Sequence, residues 1–406
     1  MNDVRVVVAG HVDHGKSTII GRLLYEAGSL PQRIVDRLQG AGGPHKATAF
    51  AFITDQLSEE QEGSFTLDMA QAQLRTGGKD YTLIDTPGHR EFLRNMVTGT
   101  TRADAAILVV DAAEGPLPQT YLHAYLIAML GIRQVIVVIN KMDLVSYDRT
   151  RFHLLSRQLG THLERIGIAP IAVIPASAQQ GDHIVKRSER MSWSPTPPLV
   201  EALDRLVAPE KDGAQPLRFL VQCPFSVDGC RAILGKVASG TLQRGQSLVF
   251  GPHGHETVVA SVAVGQQETH VATAGQSVGI FLQDAAPVER GHVGFDGDNA
   301  PVITRRLTAR VFWISPRPLA VNDGIEILCG TQSRGAHVES VARVVDPVSL
   351  KVIETEATRL DDSQVAEVII RTDSPICIDP FDAVPELGRF AILQNRRTAG
   401  GGVITK

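Results

Sequence analysis

The chain has few of the residues that staple exported proteins. Its 406 residues include four cysteines, Cys223, Cys230, Cys329 and Cys377, at spacings that match no metal-ligand pattern. Such thiols read as small buried hydrophobes rather than a disulfide framework. Long apolar runs are also missing. The longest, Ala105 to Val110 and Val135 to Ile139, fall far short of the roughly 20 residues that span a bilayer and read as buried strands. No basic region followed by an apolar stretch opens the chain, so no export is expected and the location should be cytoplasmic, with no membrane partner. Excess positive charge is absent too: the formal net charge is −4. That supplies no global attraction for phosphate backbones and weighs against nucleic acid as the main partner. No internal repeat or low-complexity tract occurs.

What is present is the balance of an ordinary globular chain, 43% hydrophobic and 21% charged. The length predicts two or three units, with three expected. Through about Leu206, apolar strand-like runs alternate with helical patterns, which predicts an α/β domain with a mostly parallel sheet and helices on both faces. Polar chemistry then belongs at the carboxyl ends of its strands. Val207 to Pro216 is rich in Pro, Gly and charge and reads as a linker. Beyond it, short β-rich runs broken by Gly-bearing turns predict two antiparallel β-barrels, divided by the composition break Asp296 to Pro301. The expected domains are residues 1–208, 215–299 and 302–406.

Three motifs carry chemistry. Gly10, His11, Val12, Asp13, His14, Gly15, Lys16, Ser17 and Thr18 follow a strand pattern and open a helical one, which is the context a phosphate-binding P-loop requires. Its glycines let backbone N–H groups curl around phosphates, Lys16 places a point charge on them, and the Ser17 hydroxyl is a ligand for Mg²⁺. His11 and His14 read as loop residues rather than catalysts. Asp85, Thr86, Pro87, Gly88 and His89 close the strand Tyr81 to Ile84, so Asp85 can hold Mg²⁺, Gly88 can hinge toward a γ-phosphate, and His89 can orient the attacking water. Upstream, the acidic stretch Asp55 to Asp68 reads as the other switch, with Thr66 as a second hydroxyl ligand to the metal.

Asn140, Lys141, Met142 and Asp143 close the strand Val135 to Ile139. A carboxylate at Asp143 accepts two hydrogen bonds from guanine, whereas adenine offers no such donor pair and would leave a buried carboxylate unpaired. That selects GTP over ATP. The stem of Lys141 can cover one face of the base, and Ser177 with Ala178 can offer a backbone N–H to guanine O6.

In this order and spacing the motifs resemble those of the elongation factor Tu and elongation factor 1-alpha superfamily, over the whole chain. Within it, Arg94 to Thr100, Leu130-Gly-Ile and Ile139 to Tyr147 resemble most the GTPase subunit of bacterial sulfate adenylyltransferase. So do Val311-Phe-Trp313, Cys329-Gly-Thr, Leu387 to Phe390 and Ala399 to Val403 in the last third. An Arg-Pro-Gln-Phe type segment of the tRNA-carrying factors is missing there. The resemblance implies a GTPase motor for a partner catalytic subunit that makes adenosine 5′-phosphosulfate from ATP and sulfate. The alternative is an elongation factor-like GTPase that delivers aminoacyl-tRNA. A nucleotide-binding scaffold is a third reading, opposed by the retained Lys16, Ser17, Thr66, Asp85 and His89. No second P-loop follows, so a fused adenylylsulfate kinase is not expected.

Two positions depart from the sulfurylase pattern. Asp13-His14-Gly15-Lys16 has the translation-factor form rather than Asp-Asp-Gly-Lys, and Ser64-Phe65-Thr66 replaces Gly-Ile-Thr in the first switch. In the family a small apolar side chain from that switch and the P-loop valine screen the catalytic His. Here they would be Phe65 and Val12, and the bulk of Phe65 implies slow, partner-dependent hydrolysis.

Overall fold

The computed structural model describes residues 3–40, 71–85, 103–208, 215–227, 230–265, 267–284 and 287–405. Described residues up to 208 form one unit and those from 215 onward a second.

The first unit runs β1 (Asp3–Gly10), α1 (Lys16–Glu26), α2 (Gln32–Gly40), β2 (Gln71–Thr76), β3 (Lys79–Asp85), β4 (Ala105–Asp111), α3 (Pro118–Met129), β5 (Gln134–Asn140), α4 (Arg149–Arg165), β6 (Ala172–Pro175) and α5 (Leu199–Leu203). The sheet order is β2-β3-β1-β4-β5-β6. All pairings are parallel except β2 with β3. Every residue of β4 is buried, as a parallel strand covered on both faces must be. α4 begins at Asp148, whose carboxylate caps the Thr150 N–H, and buries Phe152, Leu155, Leu159 and Leu163 at helical spacing. Register brings the strand ends together: Val8 pairs with Asp85, Gly10 with Val109, and Asp111 with Asn140. The carboxyl ends of β1, β3, β4 and β5 therefore form one polar edge above an apolar core that includes Val6, Ile19, Leu83, Ile107 and Val138. Among the described residues no helix is long and apolar enough to cross a membrane.

The second unit holds two closed antiparallel barrels. The first is built from β7 (Arg218–Val227), β8 (Cys230–Ser239), β9 (Thr241–Gln243), β10 (Ser247–Gly251), β11 (His255–Val264), β12 (Gln267–Thr269), β13 (Val271–Thr273), β14 (Ser277–Leu282) and β15 (Val293–Phe295). It runs β10-β15-β7-β8-β14-β11 and closes where β11 pairs back to β10.

The second barrel is built from β16 (Val302–Trp313), β17 (Leu319–Ala320), β18 (Gly324–Cys329), β19 (Gln332–Val345), β20 (Val352–Ala357), β21 (Arg359–Leu360), β22 (Val365–Ile378), α6 (Pro385–Gly388), β23 (Arg389–Gln394) and β24 (Arg397–Ile404). Its order is β18-β23-β24-β16-β22-β19, closed by β18 on β19. Glycines permit the tight packing of β24: a Cβ on Gly400 would lie 2.6 Å from the Phe312 carbonyl oxygen, and one on Gly402 2.5 Å from that of Arg310. The expected α/β domain followed by two barrels is the fold observed. Between the barrels, buried Arg218 clamps Asp379 through Nε at 2.7 Å and Nη2 at 2.9 Å, and also donates to the Asn299 carbonyl.

Candidate nucleotide site

The turn from β1 into α1 needs backbone that only glycine adopts easily. Gly10 and Gly15 have φ of 153° and 88°, and Asp13 is left-handed as well. A Cβ on Gly10 would stand 2.4 Å from the Val109 carbonyl oxygen. Lys16 bends back over this loop, donating to the carbonyls of Gly10 at 3.1 Å and His11 at 2.9 Å. Burial pulls its ammonium below the ordinary lysine range, opposed by Asp85 and Asp13. Such a cation gains from an anionic ligand in the loop.

The Ser17 hydroxyl donates to Asp85 Oδ2 at 2.7 Å. These two hard oxygen donors, one in the first turn of α1 and one at the end of β3, are the donor chemistry that Mg²⁺ takes. Thr66, Thr86, Pro87, Gly88, His89 and the altered Ser64-Phe65 pair lie outside the described residues.

At the other end of the edge, Asn140 brackets two loops. Its Nδ2 donates to the His14 carbonyl at 3.0 Å, and its Oδ1 accepts the Ala178 N–H at 3.0 Å. The Ser177 hydroxyl donates to the Asp143 carboxylate, which holds that carboxylate toward the Ser177-Ala178 turn. Lys141 is left-handed, with φ of 61°, and its Nζ pairs with Asp111 Oδ2 at 2.7 Å.

The structure refines several expected roles. Met142 is fully buried against Ile139, Phe152 and Met191, so only its backbone faces the base loop. His14 is also fully buried: Nδ1 lies 3.4 Å from the Val109 carbonyl and 3.3 Å from the Asp111 N–H, and Nε2 lies 3.4 Å from Glu114. Its imidazole is a strut beneath the loop rather than part of the phosphate surface. His11 reaches sideways to Gln119, whereas Val12 is 51% exposed.

Sequence reasoning missed Asp111, the buried anchor of Lys141. Burial raises its carboxyl, but Lys141 and the N–H groups of Ala113 and Glu114 outweigh that and hold it below the usual carboxylate range. The available signal was an aspartate ending a fully apolar strand beside the P-loop strand.

The model of the elongation factor Tu GTP binding domain matches residues 1–209, and that of the GTP-eEF1A C-terminal domain-like family matches residues 306–405. Elongation factor 1-alpha of Pyrococcus furiosus is 35% identical over 414 residues, covering 99% of this chain and 97% of that protein. The same factor from Thermococcus sibiricus is 35% identical over 415 residues, with the same coverage. A solved structure of sup35 complexed with GMPPNP aligns over 100% of this chain and 94% of that one, at 21% identity and a TM-score of 0.47. With a GTP-binding-domain match over half its length and full-length relatives at 35% identity, the chain belongs to the elongation factor Tu family of GTP-binding proteins.

Proposed function

We propose that this GTPase is an elongation factor-like carrier that delivers aminoacyl-tRNA to the ribosome. The observation that carries the reading is its full-length identity to elongation factors 1-alpha, across both units. As a member of the family it binds GTP with Mg²⁺. In this reading residues 1–208 form the nucleotide domain, and 215–299 and 302–406 the two barrels that engage the partner.

The P-loop backbone and Lys16 hold the phosphates, Ser17, Asp85 and Thr66 hold the metal, and Asp143 reads guanine beside Ser177 and Ala178. Bound Mg²⁺ would supply charge neutralisation at the phosphates. His89 orients the attacking water, so His89→Ala should abolish turnover and spare GTP binding. Asp143→Asn removes the charge that receives two guanine donors. At about 1.5–3 kcal/mol per charged hydrogen bond, it should weaken GTP by two or more orders of magnitude. An unchanged nucleotide dissociation constant would remove Asp143 from recognition.

A second reading, the GTPase subunit of sulfate adenylyltransferase, is favoured by the third-domain segments Val311-Phe-Trp313 and Ala399 to Val403 and by the missing Arg-Pro-Gln-Phe type segment. One experiment separates the two. GTP hydrolysis by the purified chain is measured with aminoacyl-tRNA and ribosomes in one arm, and with its co-purified partner plus ATP and sulfate in the other. Stimulation in the first arm alone supports the carrier. Stimulation in the second, with adenosine phosphosulfate formed, replaces it with the sulfurylase motor.

A further inference from the structure

Two glycines face outward on adjacent strands where the second barrel closes. Gly324 pairs with His337, and two residues on, Glu326 pairs with Gly335. The Glu326 row extends to Leu393 on β23. On the other side, the pairing of Ala336 with Thr372 sets Asp373 of β22 opposite Gly335. Ala336 and Thr372 are buried whereas Gly335 and Asp373 are exposed, so the row Leu393, Glu326, Gly335, Asp373 lies on the outer face. Side chains stand on both sides of a floor that has none. With His337 beside Gly324 and Arg396 at the tip of the β23–β24 hairpin, they line an open cleft of about 630 Å³.

The two carboxylates flank the bare position. They sit two strands apart, which places their Cα atoms about 10 Å from each other across Gly335. Asp373 leans over that glycine: a Cβ there would lie 2.2 Å from its Oδ2. Glu326 accepts from the Ser333 hydroxyl through Oε1. Among the described residues Asp373 has no hydrogen-bond or ion-pair partner, and no group of side chains is arranged to hold a metal ion.

We propose that this cleft docks an arginine-bearing segment of a partner protein, the guanidinium bonding the Asp373 carboxylate where it overhangs Gly335 and facing Glu326 across the trough. A guanidinium is planar, weakly hydrated and able to bond a carboxylate with two parallel N–H groups, which suits a flat slot with acid on both sides. Lysine would bring a strongly hydrated point charge that cannot bond a carboxylate with two parallel N–H groups. The cleft runs from Asp373 past Gly324 to Asn395 and Arg396, so the guanidinium is one anchor of a longer segment. Leu393 gives an apolar neighbour of that arginine a surface to rest on, and Arg396 at the rim meets a carbonyl or carboxylate of the same segment. The site lies entirely within the second barrel and does not depend on which partner the GTPase serves.

The probe is the peptide acetyl-Gly-Arg-Leu-Gly-amide, with a twin carrying citrulline in place of arginine, titrated onto the full chain with GTP and followed by saturation-transfer NMR. The arginine peptide should bind at least tenfold more tightly than the citrulline twin. Asp373→Asn should weaken it at least tenfold. Gly324→Leu should do the same by filling the trough, at a position where nothing lies within 4 Å of a new Cβ. Thermal midpoint and GTP affinity should stay unchanged in both variants, and if Asp373→Asn misfolds, the Leu variant decides alone. Equal binding of the two peptides, full binding by the folded Leu variant, or no binding of the arginine peptide would overturn the proposal. Preferential binding of a phosphorylated peptide or a short RNA would also overturn it, because Arg396 rather than the two carboxylates would then read the ligand.

Discussion

Replacing Asn140 with alanine asks whether one side chain joins the phosphate loop to the base loop. The amide is 1% exposed, and both of its hydrogen bonds, to the His14 carbonyl and from the Ala178 N–H, are 3.0 Å long. Truncation leaves a buried carbonyl and a buried N–H without their partner, each costing about 1–3 kcal/mol. Allowing for partial relaxation, the expected loss is about 2–4 kcal/mol. The same energy predicts a roughly 30- to 700-fold faster exchange of the Ala178 amide, at about 1.4 kcal/mol per tenfold. Hydrogen exchange of the peptide containing Ala178 and urea unfolding of the chain are the two measurements. Gly15→Ala should reproduce much of the loss from the opposite side, because its new Cβ would stand 2.5 Å from Asn140 Nδ2 on a backbone with φ of 88°. If the Ala178 amide keeps its protection in Asn140→Ala and the urea midpoint does not move, the bracket does not hold the loops and the reasoning fails.

Arg218→Ala leaves the Asp379 carboxylate buried and unpaired between the barrels and should cost about 3–5 kcal/mol in urea unfolding; a loss under about 1 kcal/mol would mean that water or a shift of the barrels satisfies it. Gly400→Ala forces a Cβ against the Phe312 carbonyl and the Trp313 ring and should destabilise the second barrel by about 1–3 kcal/mol, whereas Gly324→Ala should change nothing measurable in the same melt. Burial holds the His14 imidazole below its ordinary value, aided by His11 and opposed by the Val109 carbonyl, Asp111 and Glu114. The unfolded chain therefore takes up that proton first. The contribution of His14 is full above about pH 6.5 and declines as pH falls below it, so His14→Gln should flatten the fall in denaturation midpoint between about pH 7 and 5. An unaltered slope would show that the folded and unfolded chains take up the His14 proton at the same pH.

Where chemistry is written in one contiguous stretch, the local turn is legible along the chain. The P-loop spacing from Gly10 to Ser17 dictates its own turn, because two glycines at left-handed φ and a lysine that folds back need no help from distant residues to be recognised. The apolar strands of the first unit were legible for a similar reason: a strand covered on both faces, such as β4, must be apolar throughout. β2 was not read as a strand. It is an antiparallel edge of polar composition, Gln-Ala-Gln-Leu-Arg-Thr, and only its alternating burial against β3 makes it one.

What escaped is whatever depends on register between strands far apart in the chain. Asp111 anchors Lys141 because β4 and β5 pair with Asp111 opposite Asn140, and a strand-ending aspartate says nothing of that alone. Met142 follows Lys141 in the guanine motif, yet it is drawn into the core by the backbone bond of its own N–H to the Ala176 carbonyl. The partner of Arg218 lies 161 positions away. The cleft of the second barrel is the extreme case, since four strands must be laid side by side before Gly335 falls between two acids. The P-loop turn of this GTPase can thus be read along the chain, whereas the cleft of the second barrel exists only once the barrel brings its strands together. Function on such a surface therefore has to be argued from the assembled site and tested by binding experiments on the chain itself.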